Sequence, residues 1–331
     1  MGEDGRAHPS GIFPSEEEAE RLIVGPESIT WQFSSDIRLF LAPLCALLLQ
    51  VAHPTVGAGV RDYSDFDRRP WERLMRTLDY LVLLQYGGAE AIVVGRRLRE
   101  LHKRFRGVTS DGRPYCALER EAYAWVHATL LETYVRAHEH FGRPMSAPQL
   151  ERFYGEYVGL GRLAGVHRDD LPGTWPEFRS YVRRTEAQVL SHNETVDRVL
   201  AAARRPARPE IPSLPQIVWS GVRLPLARLT YLGGVGLLSP DLRARLGIPW
   251  SRRDASEFRA LAACSRALTP VLPSWLRVVG PAQLRWRRRV IALGPLGSGA
   301  GALSYPAQPL GTTRDETICS SDHAADAARD L

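Results

Sequence analysis

The stretch WERLMRTLDYLVLLQYGGAEAIVVGRRLRELHKRF, residues 71–105, has the pattern that decides the fold. Its leucines Leu74, Leu78 and Leu81 recur every three or four residues, which places them on one face of an α-helix. The pair Gly87–Gly88 interrupts this period, and a second apolar-periodic run follows it. The stretch therefore predicts two helices, or one helix broken near the glycine pair.

Helical periodicity continues along most of the chain, whereas the alternation that is typical of strands is scarce. TVGAGVRDYSDFDRRP (55–70) is rich in Gly, Asp and Pro and predicts a loop, and TSDGRPY (109–115) predicts a turn. We therefore expect an all-α protein with a single large helical domain. Further helices are predicted over residues 15–23, 35–52, 118–141, 147–165, 174–203, 216–232 and 254–270.

Three segments are expected along the chain. Residues 1–14 are predicted to form a flexible N-terminal arm, and residues 15–292 to form the all-helical domain. Residues 293–331 are rich in Gly, Ser, Ala and Asp, a composition that predicts a disordered C-terminal tail. The proline-rich RRPARPEIPSLP (204–215) is interpreted as a connection within the domain.

The charge of the chain does not indicate a nucleic-acid partner. The formal net charge is +6, and Lys103 is the only lysine, so the basic residues are almost all arginine. These arginines are spread along the chain and interleaved with acidic residues, rather than collected into one basic stripe. The local cluster RWRRRV (285–290) is interpreted as a solvated helix end.

The cysteines and the apolar segments predict a cytoplasmic location. The polar N-terminal sequence lacks the apolar core of a signal peptide, and the longest apolar run, residues 39–52, is too short to span a bilayer. No transmembrane segment is therefore expected. The wide cysteine spacing, without CxxC, argues against a disulfide framework or a zinc site and favours a reducing compartment. The four cysteines are Cys45, Cys116, Cys264 and Cys319.

With no GxGxxG, Walker, HExxH or GxSxG motif, the histidines are the main candidates for chemistry. His102 and Arg106 stand at i and i+4, a spacing that places them on one helix face. A histidine at the end of an apolar helix can ligate haem iron, and a nearby arginine can pair with a haem propionate. The alternative is a solvated histidine in a basic helix end.

Four further residues also have two interpretations each. Arg73 and Thr77, at i and i+4, are either an exposed arginine and a helix filler, or a charge and a hydroxyl that orient dioxygen or an oxygenated intermediate. His53, just before a proline, is a helix C-cap, a pocket wall or a second ligand. His127, in the middle of a helix, is a packed histidine or a ligand.

The order of several segments resembles the family that unites MpaB-type oxygenases with latex-clearing rubber oxygenases. The resemblance runs over about residues 30–290, and no single motif carries it alone. The segments are QVAHPTVGAGV (50–60), RLMRT (73–77), LHKRFRG (101–107), DGRPYCALEREAYAWVHATLLET (111–133) and GLLSPDLRARLGIPWSRRDASEFRALAA (236–263).

This resemblance implies a haem pocket between helices, with b-type haem as cofactor and dioxygen as co-substrate. His102 would be the axial ligand to the iron, and Arg106 would hold a propionate. Arg73 and Thr77 would act on the oxygen side, as catalytic residues. The histidines that would line or support the pocket are His53 and His127.

Two departures separate the chain from rubber oxygenases. Those enzymes have a lysine where this chain has Arg76, so the iron is expected to be open or water-bound at rest. Rubber oxygenases also use a glutamate as a base, in the helix that precedes the arginine matched by Arg73. This chain has no matching glutamate between His53 and Arg73. The acidic residues there are Asp62, Asp65, Asp67 and Glu72. Cleavage of rubber itself is therefore not expected.

We accordingly expect a cytoplasmic haem b-dependent oxygenase that acts on a small apolar, isoprenoid or polyketide-like substrate. Two alternatives remain open. One is a haem- or lipid-binding helical protein without oxygenase activity, and the other is a haem-free enzyme on the same fold. Peripheral contact with a membrane is compatible with each, and the oligomeric state is not predicted.

Overall fold

Helices form almost all of the regular structure in the computed structural model, which describes residues 12–210 and 214–285. The expected all-α class is confirmed. The strands of the described residues are β1 (Arg106–Val108) and β2 (Pro114–Cys116), an antiparallel hairpin that pairs Gly107 with Tyr115. The helices are α1 (Glu16–Leu22), α2 (Ile29–Ser34), α3 (Pro43–Val51), α4 (Pro54–Tyr63), α5 (Pro70–Tyr86), α6 (Glu90–His102), α7 (Arg120–Phe141), α8 (Ala147–Leu163), α9 (Trp175–Gln188), α10 (Glu194–Arg204), α11 (Gln216–Gly236), α12 (Pro240–Arg245), α13 (Arg252–Leu268) and α14 (Ser274–Arg277).

The two helices that the opening stretch predicts are present as α5 and α6. They are separated at Gly87 and Gly88, of which Gly88 has a φ of +62°. Residues that carry a side chain rarely adopt a positive φ, whereas glycine does so readily. The break between the two helices therefore falls at a glycine. The predicted turn at residues 109–115 is also confirmed, because it closes the β1–β2 hairpin through Gly112, whose φ is +84°.

The core is built around α3, which packs between α7 and α11. Leu48 and Leu49 of α3 have no accessible surface. Helix α11 approaches this region closely because it carries glycines at the contact. A Cβ at Gly233 would lie 2.2 Å from the Leu41 carbonyl oxygen, and one at Gly234 would lie 2.4 Å from the Leu44 Cβ.

The predicted loop over residues 55–70 is wrong, because most of it is helix α4. Pro54 occupies the first turn of α4, where its missing N–H costs nothing. The glycines in this helix serve close packing rather than a loop. A Cβ at Gly57 would lie 2.5 Å from the Val51 carbonyl oxygen. The irregular part of the stretch is confined to residues 64–69.

Two other predicted helices also differ from the structure. The helix expected over 35–52 is a 3₁₀ turn, Ile37–Leu41, followed by α3, which Pro43 begins. The helix expected over 174–203 is divided into α9 and α10, because Asn193 caps α10 by accepting a hydrogen bond from the Val196 N–H. The short helices α2, α12 and α14 were not predicted.

The predicted domain limits remain predictions. Residues 1–11 of the expected arm and all of the expected tail lie outside the described residues. Within the described residues, no single helix is long and apolar enough to cross a membrane. Helices α3 and α4 have the required length and apolarity only when they are taken together, and the pair is bent by 105°.

The cysteines differ in their state. Cys45 is a free, buried thiol whose pKa is raised to about 11 by burial, and Cys264 is free and exposed.

A buried ion network fixes α7 to α9 and to the end of α11. Glu132 on α7 has 0% exposed surface, and its Oε1 accepts a hydrogen bond from the Arg136 Nε at 2.6 Å. Arg136 also pairs with Glu186 and donates to the Leu237 carbonyl at 3.1 Å, while Arg179 pairs with Glu132. Burial alone would raise the pKa of Glu132, but the two arginine charges hold it below its usual value.

Replacing Arg136 with Met is expected to destabilise the fold strongly, because Glu132 and Glu186 would then be buried without their main cation. The free energy of unfolding should fall by about 3–5 kcal/mol in urea denaturation at pH 7. Arg179→Met is the matched control, since Arg179 is more exposed and Glu132 keeps Arg136. A loss from Arg136→Met no larger than that from Arg179→Met would contradict this account of the network.

Candidate active site

His102 is the last residue of α6, and one hydrogen bond fixes its tautomer. Its Nδ1 lies 2.8 Å from the Leu98 carbonyl oxygen one turn earlier. A carbonyl oxygen only accepts, so Nδ1 must carry the hydrogen and donate it. The pKa of His102 is lowered by burial and, to a smaller extent, by the charges of Arg73 and Arg99. The imidazole is therefore neutral near pH 7, with the lone pair on Nε2.

Aromatic rings hold the His102 side chain in place. Its ring meets Phe105 edge-on at 5.2 Å between centroids and Tyr123 of α7 at 5.9 Å. Phe105 in turn stacks on Tyr63 at 4.5 Å, and the Tyr123 hydroxyl donates to the Ala164 carbonyl. Nε2 has no hydrogen-bond partner among the described residues. A ring fixed through Nδ1, with Nε2 bare, is the arrangement of a metal-ligating histidine.

Arg73 and Thr77 lie on one face of α5, as predicted, and they bind each other. The Arg73 guanidinium donates to the Thr77 hydroxyl, and that hydroxyl donates to the Arg73 carbonyl at 3.0 Å. The hydroxyl hydrogen of Thr77 is thus already used. The Arg73 Nε, in contrast, is buried and has no hydrogen-bond partner among the described residues. Arg73 is therefore the member of this pair that has a donor left for another group.

Arg106 does not share a helix face with His102, so that prediction is wrong. Helix α6 ends at His102, and Arg106 is the first residue of β1, where it pairs with Cys116. The Tyr63 hydroxyl donates to the Arg106 carbonyl at 2.6 Å and accepts from its N–H at 3.1 Å, which anchors the backbone at the start of the hairpin. A propionate-binding role for Arg106 stays a prediction without the support of helical spacing.

His53 is a buried imidazole for which neither ring nitrogen has a hydrogen-bond partner among the described residues. Its side chain lies at the N-terminus of α4, so it is not the C-cap of α3. Only 4% of its surface is exposed, and burial, followed by the Arg113 charge, lowers its pKa to about 4. A buried polar group of this kind is expected to find a partner, which a bound ligand can supply.

His127 is a packed histidine on α7. Its Nε2 donates to the Tyr157 carbonyl of α8 at 2.8 Å, and its ring stacks on the Tyr157 ring at 4.7 Å. A Cβ at Gly161 would come within 2.8 Å of the same ring, so glycine is needed there. Nε2 is thus already engaged, which favours the packing interpretation over a ligand role for this nitrogen.

Arg76 stands at the position where rubber oxygenases have a lysine. Its guanidinium pairs with two carboxylates of this chain. Its Nη2 lies 2.9 Å from the Asp65 carboxylate, and its Nη1 lies 3.5 Å from Glu72. The pair with Asp65 joins α5 to the irregular segment before it, whereas Glu72 lies on α5 itself.

The sequence analysis did not identify two tyrosines of this region, Tyr123 beside His102 and Tyr80, which lies close enough to Tyr123 to interact with it electrostatically. Tyr123 contacts the His102 ring, and Tyr80, on the face of α5 that carries Arg73 and Thr77, has a pKa raised well above its ordinary value by burial. The signal was the spacing: Tyr80 follows Thr77 by three residues, and Tyr123 precedes His127 by four. Both phenols stay protonated near neutral pH.

Among the described residues there is no group of three or more His, Cys, Asp or Glu side chains that could hold a metal ion. A metal centre built only from clustered protein ligands is therefore not found in that part of the chain. The arrangement around His102 offers a single imidazole nitrogen, a neighbouring guanidinium and a surrounding of aromatic rings.

The comparison with known families identifies the class of protein. The family described as "ER-bound oxygenase mpaB/B'/Rubber oxygenase, catalytic domain" matches residues 31–267, well over half of the chain. The chain belongs to this family, and the resemblance drawn from its motifs is confirmed. All six of the predicted site residues lie within the matched range.

The relatives found among individual proteins have no assigned activity. The chain is 23% identical over 251 residues to uncharacterized protein Mb2261 of Mycobacterium bovis and equally to uncharacterized protein Rv2237 of Mycobacterium tuberculosis. Each match covers 72% of this chain and 92% of the relative. No solved structure matches the chain significantly.

Acidification is expected to destabilise the protein through its buried neutral histidines. The pKa of His127 is about 4 in the folded state, against about 6.5 when unfolded, because burial disfavours the charged ring. The unfolded chain therefore binds a proton first as the pH falls below 6.5. Between pH 7 and pH 5 this histidine alone should lower the free energy of unfolding by about 2 kcal/mol.

The test is urea denaturation of the wild type and of His127→Gln at pH 7 and pH 5. Glutamine can still donate to the Tyr157 carbonyl but does not titrate. The variant should lose about 2 kcal/mol less than the wild type over this interval. Equal losses in the two proteins would show that His127 is not held neutral by burial.

Proposed function

We propose that the protein is a haem b-dependent oxygenase acting on a small apolar substrate. The observation that carries the proposal is the state of the neutral His102 ring, whose Nδ1–H is bound to the Leu98 carbonyl while its Nε2 has no hydrogen-bond partner among the described residues. Membership of an oxygenase family supports the reaction type. The proposal includes haem as the cofactor, a small apolar molecule as the substrate and a cytoplasmic location.

The residues present fit haem in two respects. His102 has the tautomer that an iron-ligating histidine needs, because its Nδ1 carries the hydrogen and its Nε2 keeps the lone pair. The aromatic rings of Phe105 and Tyr123, which contact the His102 ring edge-on, make its surroundings apolar, as a bound porphyrin would require. When bound, haem would supply an iron centre able to activate dioxygen. His102 would hold it, and the protein contributes orientation and electrostatics.

Arg73 is the residue we propose for stabilising negative charge that develops on oxygen during the reaction. Its charge lies close enough to His102 to lower the pKa of that ring. Its buried Nε–H has no partner within the part of the chain that the structure describes. A donor fixed in a water-poor site stabilises developing charge more than it would in water. Thr77 would then be a positioning residue, because its hydroxyl accepts from Arg73 and fixes the guanidinium.

The apolar character of the proposed substrate follows from the side chains beside Arg73 and Thr77. Leu74, Leu78 and Leu81 continue along α5 and are only partly buried. Such surfaces bind apolar molecules through the area that they remove from water. An isoprenoid or polyketide-like molecule has this chemistry. His53 would line or support the pocket, since it is buried and lacks a partner for both nitrogens.

Purified protein reconstituted with haem is expected to show a Soret band whose position and intensity depend on His102. His102→Gly should diminish and shift the band, and added imidazole should restore it, because free imidazole can occupy the vacated position. The matched control is His192→Gly, which removes a half-exposed histidine paired with Asp197. Absorption spectra of the three proteins provide the measurement.

A His102→Gly spectrum identical to that of the wild type would contradict the assignment of His102. A protein that binds no haem, yet consumes dioxygen with an unsaturated apolar substrate, would support the haem-free alternative. Haem binding without dioxygen consumption across a panel of such substrates would support a carrier or binding protein.

A second variant series separates Arg73 from Thr77 without requiring the natural substrate. Azide is an anionic probe for the oxygen side, and Arg73→Gln should weaken azide binding to the ferric protein by about tenfold or more, the effect of one charge-assisted hydrogen bond. Thr77→Val should weaken it less, because the guanidinium remains. Titration of the visible spectrum with azide is the readout. Equal azide affinity in the wild type and in Arg73→Gln would contradict the proposed role of Arg73 in stabilising negative charge on oxygen.

A further inference from the structure

The middle of α7 is buried except along one stripe. Between Ala122 and His138, the side chains that keep some accessible surface recur every three or four residues, which places them on one face of the helix. Their sequence neighbours on both sides are buried. These side chains, which we call the α7 stripe, are Tyr123, Val126, Leu130 and Tyr134. Because α7 lies in the core, the α7 stripe borders a space within the domain, which we call the α7 cleft.

The α7 cleft is elongated, and one of its ends lies at the candidate active site. Tyr123 contacts the His102 ring at 5.9 Å between centroids. Helix α5 borders the cleft at this end, where its Tyr80 interacts electrostatically with Tyr123. It borders the other end too, where the Gln85 Nε2 donates to the Tyr134 hydroxyl at 2.9 Å. From Tyr123 to Tyr134 the helix rises by about 16 Å.

The side chains in the middle of the α7 stripe are aliphatic. Val126 and Leu130 have no polar group, and both keep some accessible surface. Surfaces of this kind bind apolar molecules through the area that they remove from water. The middle of the α7 cleft therefore suits the body of an elongated apolar molecule.

The end of the cleft remote from His102 has a hydrogen-bond donor left over. The Tyr134 oxygen accepts a hydrogen bond from the Gln85 Nε2 and another from the Tyr157 hydroxyl of α8. A phenol oxygen can accept, and its O–H can donate as well. The Tyr134 O–H has no acceptor among the described residues. This hydrogen is therefore available to an oxygen atom of a bound molecule.

The surroundings of Tyr134 favour an uncharged partner. Burial raises the pKa of Tyr134 and of Tyr157, so both phenols stay protonated near neutral pH. The groups that act electrostatically on Tyr157 are other tyrosines, and no charged side chain is among them. A carboxylate would be buried here without a cation, which is costly. A hydroxyl, carbonyl or ether oxygen can accept from Tyr134 without that cost.

We propose that Tyr134 is a specificity-determining residue, which binds the neutral oxygen at one end of an elongated apolar molecule lying in the α7 cleft. The other end of that molecule lies beside Tyr123 and His102. The carbon atoms presented for oxidation would then be those farthest from the bound oxygen. The identification of this molecule as the substrate rests on the proposed function, whereas its binding in the cleft does not.

The experiment measures the binding of straight-chain alcohols to the purified full-length protein. Headspace gas chromatography gives the free concentration, and hence the Kd, of 1-hexanol, 1-octanol and 1-decanol. The Kd should fall about fourfold for each added methylene, the effect of burying one such group. Tyr134→Phe keeps the ring and removes the donor, so it should weaken the binding of 1-decanol about tenfold. It should leave the binding of 1-chlorodecane unchanged, because the chlorine atom is a poor acceptor.

The matched control is Tyr231→Phe. Tyr231 is also a buried phenol, but it lies on α11 and its O–H donates to the Pro249 carbonyl at 2.6 Å. This variant should bind 1-decanol and 1-chlorodecane as the wild type does. Leu130→Trp, which fills the middle of the cleft, should weaken the binding of both ligands at least tenfold. Circular dichroism confirms that each variant is folded.

Three results would each overturn the proposal: no binding of any of the alcohols by the wild type, unchanged binding of both ligands by Leu130→Trp, or equal effects of Tyr134→Phe on 1-decanol and 1-chlorodecane. Visible spectra of the same samples give the haem content independently. A haem-free protein that shows the Tyr134 dependence would contradict the proposed function and support this inference. A haem-containing protein in which Tyr134→Phe has no effect would do the reverse.

Discussion

The hydrogen bond from the His102 Nδ1–H to the Leu98 carbonyl is the constraint on which the candidate site depends. It requires the last turn of α6 to be intact, because Leu98 lies one helical turn before His102. It selects one tautomer of the neutral ring and leaves Nε2 as the only lone pair. Burial keeps the ring neutral, since it lowers the pKa of the imidazole. The end of the helix therefore determines the tautomer of His102 and which of its ring nitrogens keeps a lone pair.

The surrounding elements keep this arrangement rigid. Tyr123, which contacts the His102 ring, is on α7, and the same helix carries Glu132 and Arg136 of the buried ion network. The network fixes α7 to α9 and to the end of α11, while Gly161 allows α8 to close on His127. A site supported by packed helices holds its geometry better than one supported by loops. The described residues therefore have the rigid support that a ligand-binding histidine needs.

Sequence patterns predicted the helices whose period is strong, and they failed where tertiary contacts decide the conformation. The break between α5 and α6 was visible because glycines interrupt an apolar period. Helix α4 was missed because its glycines, such as Gly57, serve close packing, which composition alone does not show. The pairing of Arg73 with Thr77 followed from helical spacing, whereas the placement of Arg106 did not, since the helix ends at His102. Leu98 could not be predicted as a site residue, because only its backbone carbonyl contacts His102.

The central claim, that His102 provides the protein ligand for haem b, is tested most directly by the cofactor content of the wild-type protein. Pyridine haemochrome analysis, together with iron determination on protein purified from cells supplied with a haem precursor, measures this content. The account predicts one haem b and one iron per chain. Protein that contains neither haem nor iron, and that does not take up added haem at stoichiometric concentration, would contradict it.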